Sequence, residues 1–433
     1  MHAPRLEAAD VFTTLDLTLK PDPARTVVRP FGFDYPEAFA QGRPSRFVAV
    51  AERLLALDDA MRTRMLTKLT EGMLPRHRNV DKVFLRRFND VKDQLPICKA
   101  MTQERDQLLF GAYLSQEYAF ESAALFNPSI VRMPDQPDHA ADLRFVLSLR
   151  GIGEGHISSV TFRTGTWDGD RRLIVDPASD QGVPPVIENN DDEGWVKLYC
   201  PDSRDPSETV IFPVLPSQRQ GVEDLRLVHF IDDDGTQSML GTYTAFDGRD
   251  ARCELLRGID LRTFEMRPLA GAMAGYKGMA LFPRRIDGQF VMLGRQDNER
   301  IWLLRSDDLH LWEHAEPLME PRYPWEFVQI GNCGSPIEID EGWLVFTHGV
   351  GMVRGYCIGA CLLDKDDPSK VLARTPSPLL FPSAQQRGGY VPNVTYSCGA
   401  LLHRRRILLP YAIGDEYTAF AVGSVDDLLR VME

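Results

Sequence analysis

Arg257 to Leu269 reads RGIDLRTFEMRPL and Arg305 to Leu318 reads RSDDLHLWEHAEPL; aligned without a gap, Asp260, Leu261 and Glu265 fall on Asp308, Leu309 and Glu313 at a constant offset of 48. A fixed offset between two strand-turn segments marks a repeat. Weaker echoes stand in FRTGTWDGD (162–170), in LLDKDDPSKVLARTPSPL from Leu362, and in GSVDDLLRV near the C-terminus. Together they count five units of about 45 to 60 residues, the size of a four-stranded propeller blade. Around them, after Asn127, lie short apolar runs such as RFVLSLR, WVKLYC, LRLVHFI, QFVMLGR, GWLVFTHG and TAFAVGS, each bounded by Gly, Pro, Asp or Asn. Many short strands without intervening helices mean an all-β body. A β-sandwich also has short strands but gives no reason for a repeated strand-turn motif, so the expected fold is a five-bladed β-propeller.

Ahead of that body the period changes. Leu54, Leu57, Met61, Met65 and Leu69 lie three or four apart, one stripe of a helix. Val80, Phe84, Phe88, Val91 and Leu95 predict a second helix ended by Pro96, and a third is expected from an N-cap at Thr102 through Leu108, Leu109, Ala112 and Tyr113 toward Phe120. The predicted organisation is a helical extension over 1–125 and a propeller over 126–433.

The 433 residues exceed what one core usually holds, in keeping with two bodies. Apolar residues make up 43% and charged residues 26%, which excludes a disordered or collagen-like chain. With 49 basic against 62 acidic residues the net charge is −13, a surface that repels a phosphate backbone, so no nucleic-acid partner is expected. No apolar run reaches 18 residues, and Glu7 and Asp10 interrupt the N-terminal stretch; no membrane association and a cytoplasmic location are expected. The seven cysteines are scattered without a C-x-x-C framework, which predicts reduced, buried thiols in preference to a metal site; Cys357 and Cys361 have the interval of one strand face.

Chemistry is sought at turns beside inner strands, where a propeller has its axial funnel. Glu223 and Asp224 in QGVEDLRLV form an acidic pair expected just before a strand, with Arg226 on the side of Asp224 by period two. Adjacent carboxylates raise each other's proton affinity and an arginine lowers it, the tension that sets a general acid; a turn with a solvated Asp is the plainer alternative. Lys277 in GYKGMALFP, Arg295 in VMLGRQD and His348 in FTHGVG each lie close to a Gly at a strand edge, and such a set suits a multi-oxygen anion such as phosphate; surface ion pairing and a hydrogen-bonded core histidine are the alternatives. RGIGEGH (150–156) contains G-x-G-x-G, but in a β-rich context its glycines mark a turn between blade strands. ENNDDEG (188–194) lacks the order of a calcium loop and reads as a solvated face.

Several ordered motifs together carry a family resemblance: FNPSIV (126–131), FVLSLRGIGEGHISSVTFR (145–163), GVEDLR (221–226), KGMALFPRRIDGQFVMLGR (277–295), SDDLHLW (306–312), IGNCGSPIEIDEGWLVFTHGV (330–350), the run from Tyr356 to Val371, and GYVPNVTYSCG (389–399). Over 126–430 the chain resembles glycoside hydrolase family 130, the mannoside phosphorylases, and its helical extension resembles the longer members that act on β-1,2-linked oligomannosides. The resemblance implies a five-bladed propeller that inverts the anomeric centre of a β-mannoside. It gives Asp224 the position of the catalytic acid, which protonates the glycosidic oxygen through the sugar's 3-hydroxyl while phosphate attacks the opposite face. Lys277, Arg295 and His348 match phosphate-binding positions. Asn127, Arg150 and Asp415 match positions that hold the mannose, and Glu223 and Arg226 belong to the same sugar-binding motif. Leu225 stands where many members have Pro, Thr347 where phosphorylases often have Tyr, and Gln329 where Lys is common. No cofactor and no metal are implied; the implied partners are a mannoside oligosaccharide and inorganic phosphate as co-substrate, with a homo-oligomer left open. Members that lack the basic cluster hydrolyse β-1,2-mannosides with a glutamate activating water, so a hydrolase is the alternative within the enzyme class and a non-catalytic glycan-binding propeller the alternative outside it.

Overall fold

A computed structural model describes residues 6–34, 45–134, 136, 141–190 and 195–433, so the end of the acidic stretch, 191–194, lies outside the described residues. Five antiparallel blades follow one another along the chain. The first runs Ala124–Arg132, Leu143–Ile152, Ser158–Trp167 and Leu173–Val175, and the second Gly221–Ile231, Gln237–Phe246, Ala251–Gly258 and Thr263–Pro268, with Trp195–Tyr199 and Val186–Asn190 added at its outer edge. The third holds Ala280–Leu281, Phe290–Gly294, Ile301–Ser306 and His314–Met319. The fourth holds Gln329–Asn332, Gly342–Val350, Tyr356–Leu363 and Val371–Arg374, and the fifth Thr395–Tyr396, Arg406–Ile413 and Tyr417–Ser424.

The repeat read from sequence has one structural meaning in all five units: it is the exit from each blade's third strand. Asp260 Oδ1 accepts from the Arg262 and Thr263 amides at 3.0 and 2.7 Å, and Asp308 Oδ1 from the His310 amide at 2.8 Å. Asp364 does the same for Asp366 and Asp367, and Asp168 for Asp170 and Arg172. In the fifth blade Ser424 takes the place of Asp and caps a short helix at Asp427. Side-chain oxygens that bind their own backbone two to four residues on are what turn the chain sharply there.

The ring closes through its cores. Val131, Val146 and Phe162 of the first blade pack with Val222, Tyr243 and Phe264 of the second. Leu240 and Leu255 of the second meet Leu281 and Met292 of the third, and Val291 and Leu303 of the third meet Trp343 and Val345 of the fourth. Leu344 and Phe346 then meet Leu409 and Ala421 of the fifth, and Leu408 and Phe420 of the fifth return to Phe145 and Trp167 of the first. Each sheet is therefore apolar on both faces, and burying both requires a neighbour on each side, which only a closed ring supplies.

The first residues depart from the expected helical extension. Residues 6–23 group with the propeller, where Phe12–Leu19 pairs antiparallel with Tyr417–Ser424 and supplies the outer strand of the fifth blade. Its Leu15, Leu17 and Leu19 alternate with Thr and Asp, a period of two, and pack toward the core between the fifth and first blades.

The second unit comprises Ala24–Phe120 with Ser179–Pro184. It contains helices α1 (Arg46–Leu55), α2 (Asp59–Met73), α3 (Val80–Val91) and α4 (Glu104–Tyr113), and a pair of strands, Thr26–Pro30 with Ser115–Ala119. The stripe expected to be one helix from Leu54 to Leu69 is split, because Asp58 turns its carboxylate onto the Met61 amide at 2.7 Å and caps α2. α4 starts after Gln103, one residue later than the Thr102 cap predicts, and ends at Tyr113. Gly111 lets α4 cross the Phe84 carbonyl of α3 at a distance that no Cβ could fill. Among the described residues no helix is long and apolar enough to cross a membrane.

Candidate active site

Three residues predicted for the sugar side sit in backbone that side chains rarely adopt. Asn127 has φ 47°, Asp224 φ 53° and Asp415 φ 51°. Asn127 falls where the register of Ala124–Arg132 slips between Phe126 and Ser129, and Asp224 where that of Gly221–Ile231 slips between Glu223 and Arg226. Asp415 follows Gly414 in the turn between the last two strands of the fifth blade. The acidic pair is thus inside a strand and not before it, and the bulge defeats the period-two expectation for Arg226. Left-handed backbone in Asn and Asp costs free energy, and it persists where the surrounding ladder fixes it.

The bulges bring these groups together. The Asn127 amide donates to Asp224 Oδ1 at 2.7 Å, and Arg150 Nη1 donates to the same oxygen at 3.3 Å. Arg150 Nη2 donates to Glu223 Oε1 at 2.6 Å, its Nε to Ser158 Oγ at 2.9 Å, and its guanidinium lies over the Phe126 ring at 5.0 Å. Burial pushes the Asp224 carboxyl up, but the opposing charges of Arg150 and Arg226, the Asn127 hydrogen bond and the charge of Arg295 outweigh it and hold it below the usual value. Glu223 goes the other way, raised by burial, and by the Asp224 charge, against the pull of Arg150. Burial and the Asp224 charge push Asp415 up to about 6, against Arg150 and Arg354. Neighbouring carboxylates with displaced proton affinities are the arrangement that sequence reading sought.

The cationic set comes from the third and fourth blades. Arg295 leaves the strand Phe290–Gly294, and its Nη1 lies 3.3 Å from His348 Nε2. His348 pairs with Gly331 across the ladder; a side chain at Gly331 would run into the His348 ring and the Arg295 stem, and one at Gly278, which has φ 83°, would meet the Arg295 guanidinium. The glycines beside the motif are thus the space the cations occupy. With its amide oriented to satisfy its neighbours, Gln329 accepts from Arg295 Nη1 at 2.8 Å. Arg295 Nε is buried and, among the described residues, without a partner. Burial, with Arg295 and Arg226 nearby, holds the His348 imidazole well below its ordinary value, so it is neutral near pH 7. Lys277 stands at the rim, where loss of hydration and the Arg295 charge lower its ammonium while Asp224 and Glu223 pull it back up.

The sequence profile of glycoside hydrolase family 130, described as beta-1,4-mannooligosaccharide phosphorylase, matches residues 203–433, more than half of the chain. The chain belongs to glycoside hydrolase family 130. It is similar to a 1,2-beta-oligomannan phosphorylase of Thermoanaerobacter sp., 34% identical over 225 residues, which is 50% of this chain and 74% of the relative. It is also similar to a beta-1,2-mannobiose phosphorylase of the same organism, 35% identical over 49% of this chain and 70% of the relative. The structure of a beta-1,2-mannobiose phosphorylase from Listeria innocua shares the fold, with a TM-score of 0.52 at 18% identity, covering 72% of this chain and 93% of that one.

Asp224, Arg226, Lys277, Arg295, His348 and Asp415 fall inside the family 130 match, whereas Asn127 and Arg150 precede it and are joined to the group by the hydrogen bonds above. Arg226, expected among the sugar contacts, is turned into the protein instead. It is 1% exposed, and its guanidinium donates to the Cys333 carbonyl at 2.9 Å, the Asp224 carbonyl at 3.0 Å and the Tyr396 hydroxyl at 2.9 Å. The bulge leaves the Asp224 backbone out of the ladder, and Arg226 takes over its carbonyl. Sequence reading did not single out Asn332, whose amide donates to the Gly278 carbonyl at 2.9 Å and whose Oδ1 is buried without a partner, or Tyr396, whose ring meets that of His348 edge-on at 4.9 Å. Both lie in motifs quoted for the resemblance, at the inner strand of their blade, which is the signal that could have found them.

Proposed function

We propose that this family 130 chain catalyses inverting phosphorolysis of β-mannosides, in particular β-1,2-linked manno-oligosaccharides, and releases α-mannose 1-phosphate. The observation that carries this reading is the juxtaposition of a half-buried carboxylate, Asp224, with a cationic set whose Arg295 has no carboxylate of its own among the described residues yet acts electrostatically on Asp224. Asn127, Arg150 and Asp415 bind and orient the mannose. Asp224 sends a proton through the sugar's 3-hydroxyl to the glycosidic oxygen, the bond from C1 to that oxygen breaks, and a phosphate oxygen bonds to C1 from the opposite face. Lys277, Arg295 and His348 hold the phosphate for that attack, and phosphate is the co-substrate, with no further cofactor.

Asp224 is held below its usual value by the arginines around it. A phosphate bound at Arg295 opposes that pull, so protonation of the acid is linked to arrival of the nucleophile. The test is product analysis with β-1,2-mannobiose, with and without inorganic phosphate. Mannose 1-phosphate formed only with phosphate supports the reading. Free mannose at a phosphate-independent rate overturns it in favour of the hydrolase, and no turnover under either condition favours the glycan-binding propeller.

A further inference from the structure

Arg226 joins three blades in one guanidinium: Nη1 to the Asp224 carbonyl, Nε to the Cys333 carbonyl and Nη2 to the Tyr396 hydroxyl. The Tyr396 oxygen and the Asp224 backbone are thus one guanidinium's width apart. On its other side the Tyr396 ring meets His348 edge-on at 4.9 Å, and Arg295 and Asp224 both act on the phenol by charge. Tyr396 therefore stands between the carboxylate group and the cationic set.

A phenol offers one proton and accepts through its oxygen. Here the oxygen is occupied by the Arg226 donor, and among the described residues the proton finds no acceptor. The residue is 6% exposed, so the proton is not simply left to bulk water. Burial raises the phenol well above its usual value, which keeps that proton in place at any working pH. A buried donor without an acceptor is costly unless a ligand completes it. Arg295, which acts on the phenol by charge, has an Nε that is buried and, among the described residues, without a partner, a second donor left open.

We propose that Tyr396 is a further catalytic residue, whose hydroxyl donates a hydrogen bond to an oxygen of the attacking phosphate while Arg226 holds and polarises the phenol oxygen. No proton is transferred in this role. It supplies a donor to an anion site in which position 329 is a neutral Gln and position 347 a Thr. The proposal rests on the phosphorolytic reading above.

The test is Tyr396→Phe in the full-length chain, which keeps the ring and removes the hydroxyl, both the open donor and the acceptor of Arg226 Nη2. The half-saturating phosphate concentration is expected to rise about 10-fold, the weight of one hydrogen bond to a charged group, with the Michaelis constant for mannobiose changed less than about 2-fold. Equal shifts in both constants would mean that the hydroxyl only steadies Arg226, and no shift in either would remove it from the site; both outcomes overturn the proposal. If Tyr396→Phe is too unstable to assay, phosphate soaked into crystals of the wild-type protein decides: an oxygen within hydrogen-bonding distance of the Tyr396 hydroxyl supports the contact, and a bound phosphate farther away overturns it. A wild-type enzyme whose rate ignores phosphate would defeat the phosphorolytic reading itself, a result distinct from an unchanged Tyr396→Phe.

Discussion

The two halves of the site are built by opposite devices. On the carboxylate side, the first, second and fifth blades force Asn127, Asp224 and Asp415 into left-handed backbone; Arg150 ties Asp224 to Glu223 and Asn127 donates to Asp224, with Asn127 Oδ1 left without a partner among the described residues. On the cationic side, the third and fourth blades remove side chains at Gly278 and Gly331, and the space is filled by Arg295 and His348, with donors left unpaired. One half is strained in its backbone and cross-linked by Arg150; the other is close-packed around Arg295 and His348, with donors left open. The difference suits a two-substrate reaction, since the acid must be held in one geometry while the anion site must keep donors free for the anion.

The sharpest way to break this comparison is at the acid. Asp224→Asn keeps shape and hydrogen-bonding capacity but has no proton to send, so turnover on an unactivated mannoside should fall roughly 100-fold or more. An aryl mannoside, whose leaving group needs less protonation, should lose much less. Near wild-type turnover on the natural substrate would remove Asp224 from the chemistry. Next in size is Arg295→Lys, which keeps the charge and loses the planar fork. The half-saturating phosphate should rise about 10-fold or more with mannoside affinity nearly unchanged. A loss shared equally between the two substrates would show that the halves are not separate.

Much of this architecture is legible in the amino-acid string. The five echoes of the strand-turn motif are the same hydrogen-bonded exit in each blade, so an offset of 48 between Asp260 and Asp308 is a statement about fold. The residues of both halves can be named because Gly and paired acids are visible in a string. What cannot be read there is where the ladder slips. A bulge at Asp224 is a property of pairing with Gln237–Phe246, not of local sequence, and it is why Arg226 points into the protein. The strand Phe12–Leu19 is hidden for a related reason, since its partner lies some 400 residues away and eight alternating residues are a weak signal alone. Asp58 shows the converse: a polar residue in an apolar stripe is a cap, readable in principle and overridden by the period.

The cationic half can be tested by overfilling it. Gly331→Ala places a methyl group against the His348 ring and the Arg295 stem, both side chains that can yield. A loss of about 1–3 kcal/mol in stability is expected from overpacking, together with a rise of about 3- to 10-fold in half-saturating phosphate. If stability falls and phosphate dependence does not move, the glycine serves the fold alone.

The smallest effect is expected on the strained side, in the sugar-free protein. Asp415 has its carboxyl raised from 3.8 to about 6, by burial first and the Asp224 charge second. For an acid whose folded value lies above its unfolded one, the stability it contributes is complete below about pH 4 and is lost as pH rises through 6, because the folded state then has to ionise a carboxyl it prefers to keep protonated. Asp415→Asn does not titrate. Its stability relative to wild type, followed by denaturant unfolding, should therefore climb between about pH 4 and 6 and level off above, by an amount of order 1–3 kcal/mol once partial solvation is allowed for. A difference that stays flat would mean that Arg150 and Arg354 keep Asp415 ionised throughout. The carboxylate half would then be a fully paired ion cluster, and the contrast with the open cationic half would be stronger than the raised Asp415 value implies. A difference that falls with pH would mean that the charge itself stabilises the turn after Gly414, and the left-handed backbone there would be supported by ion pairing instead of imposed by the strand ladder.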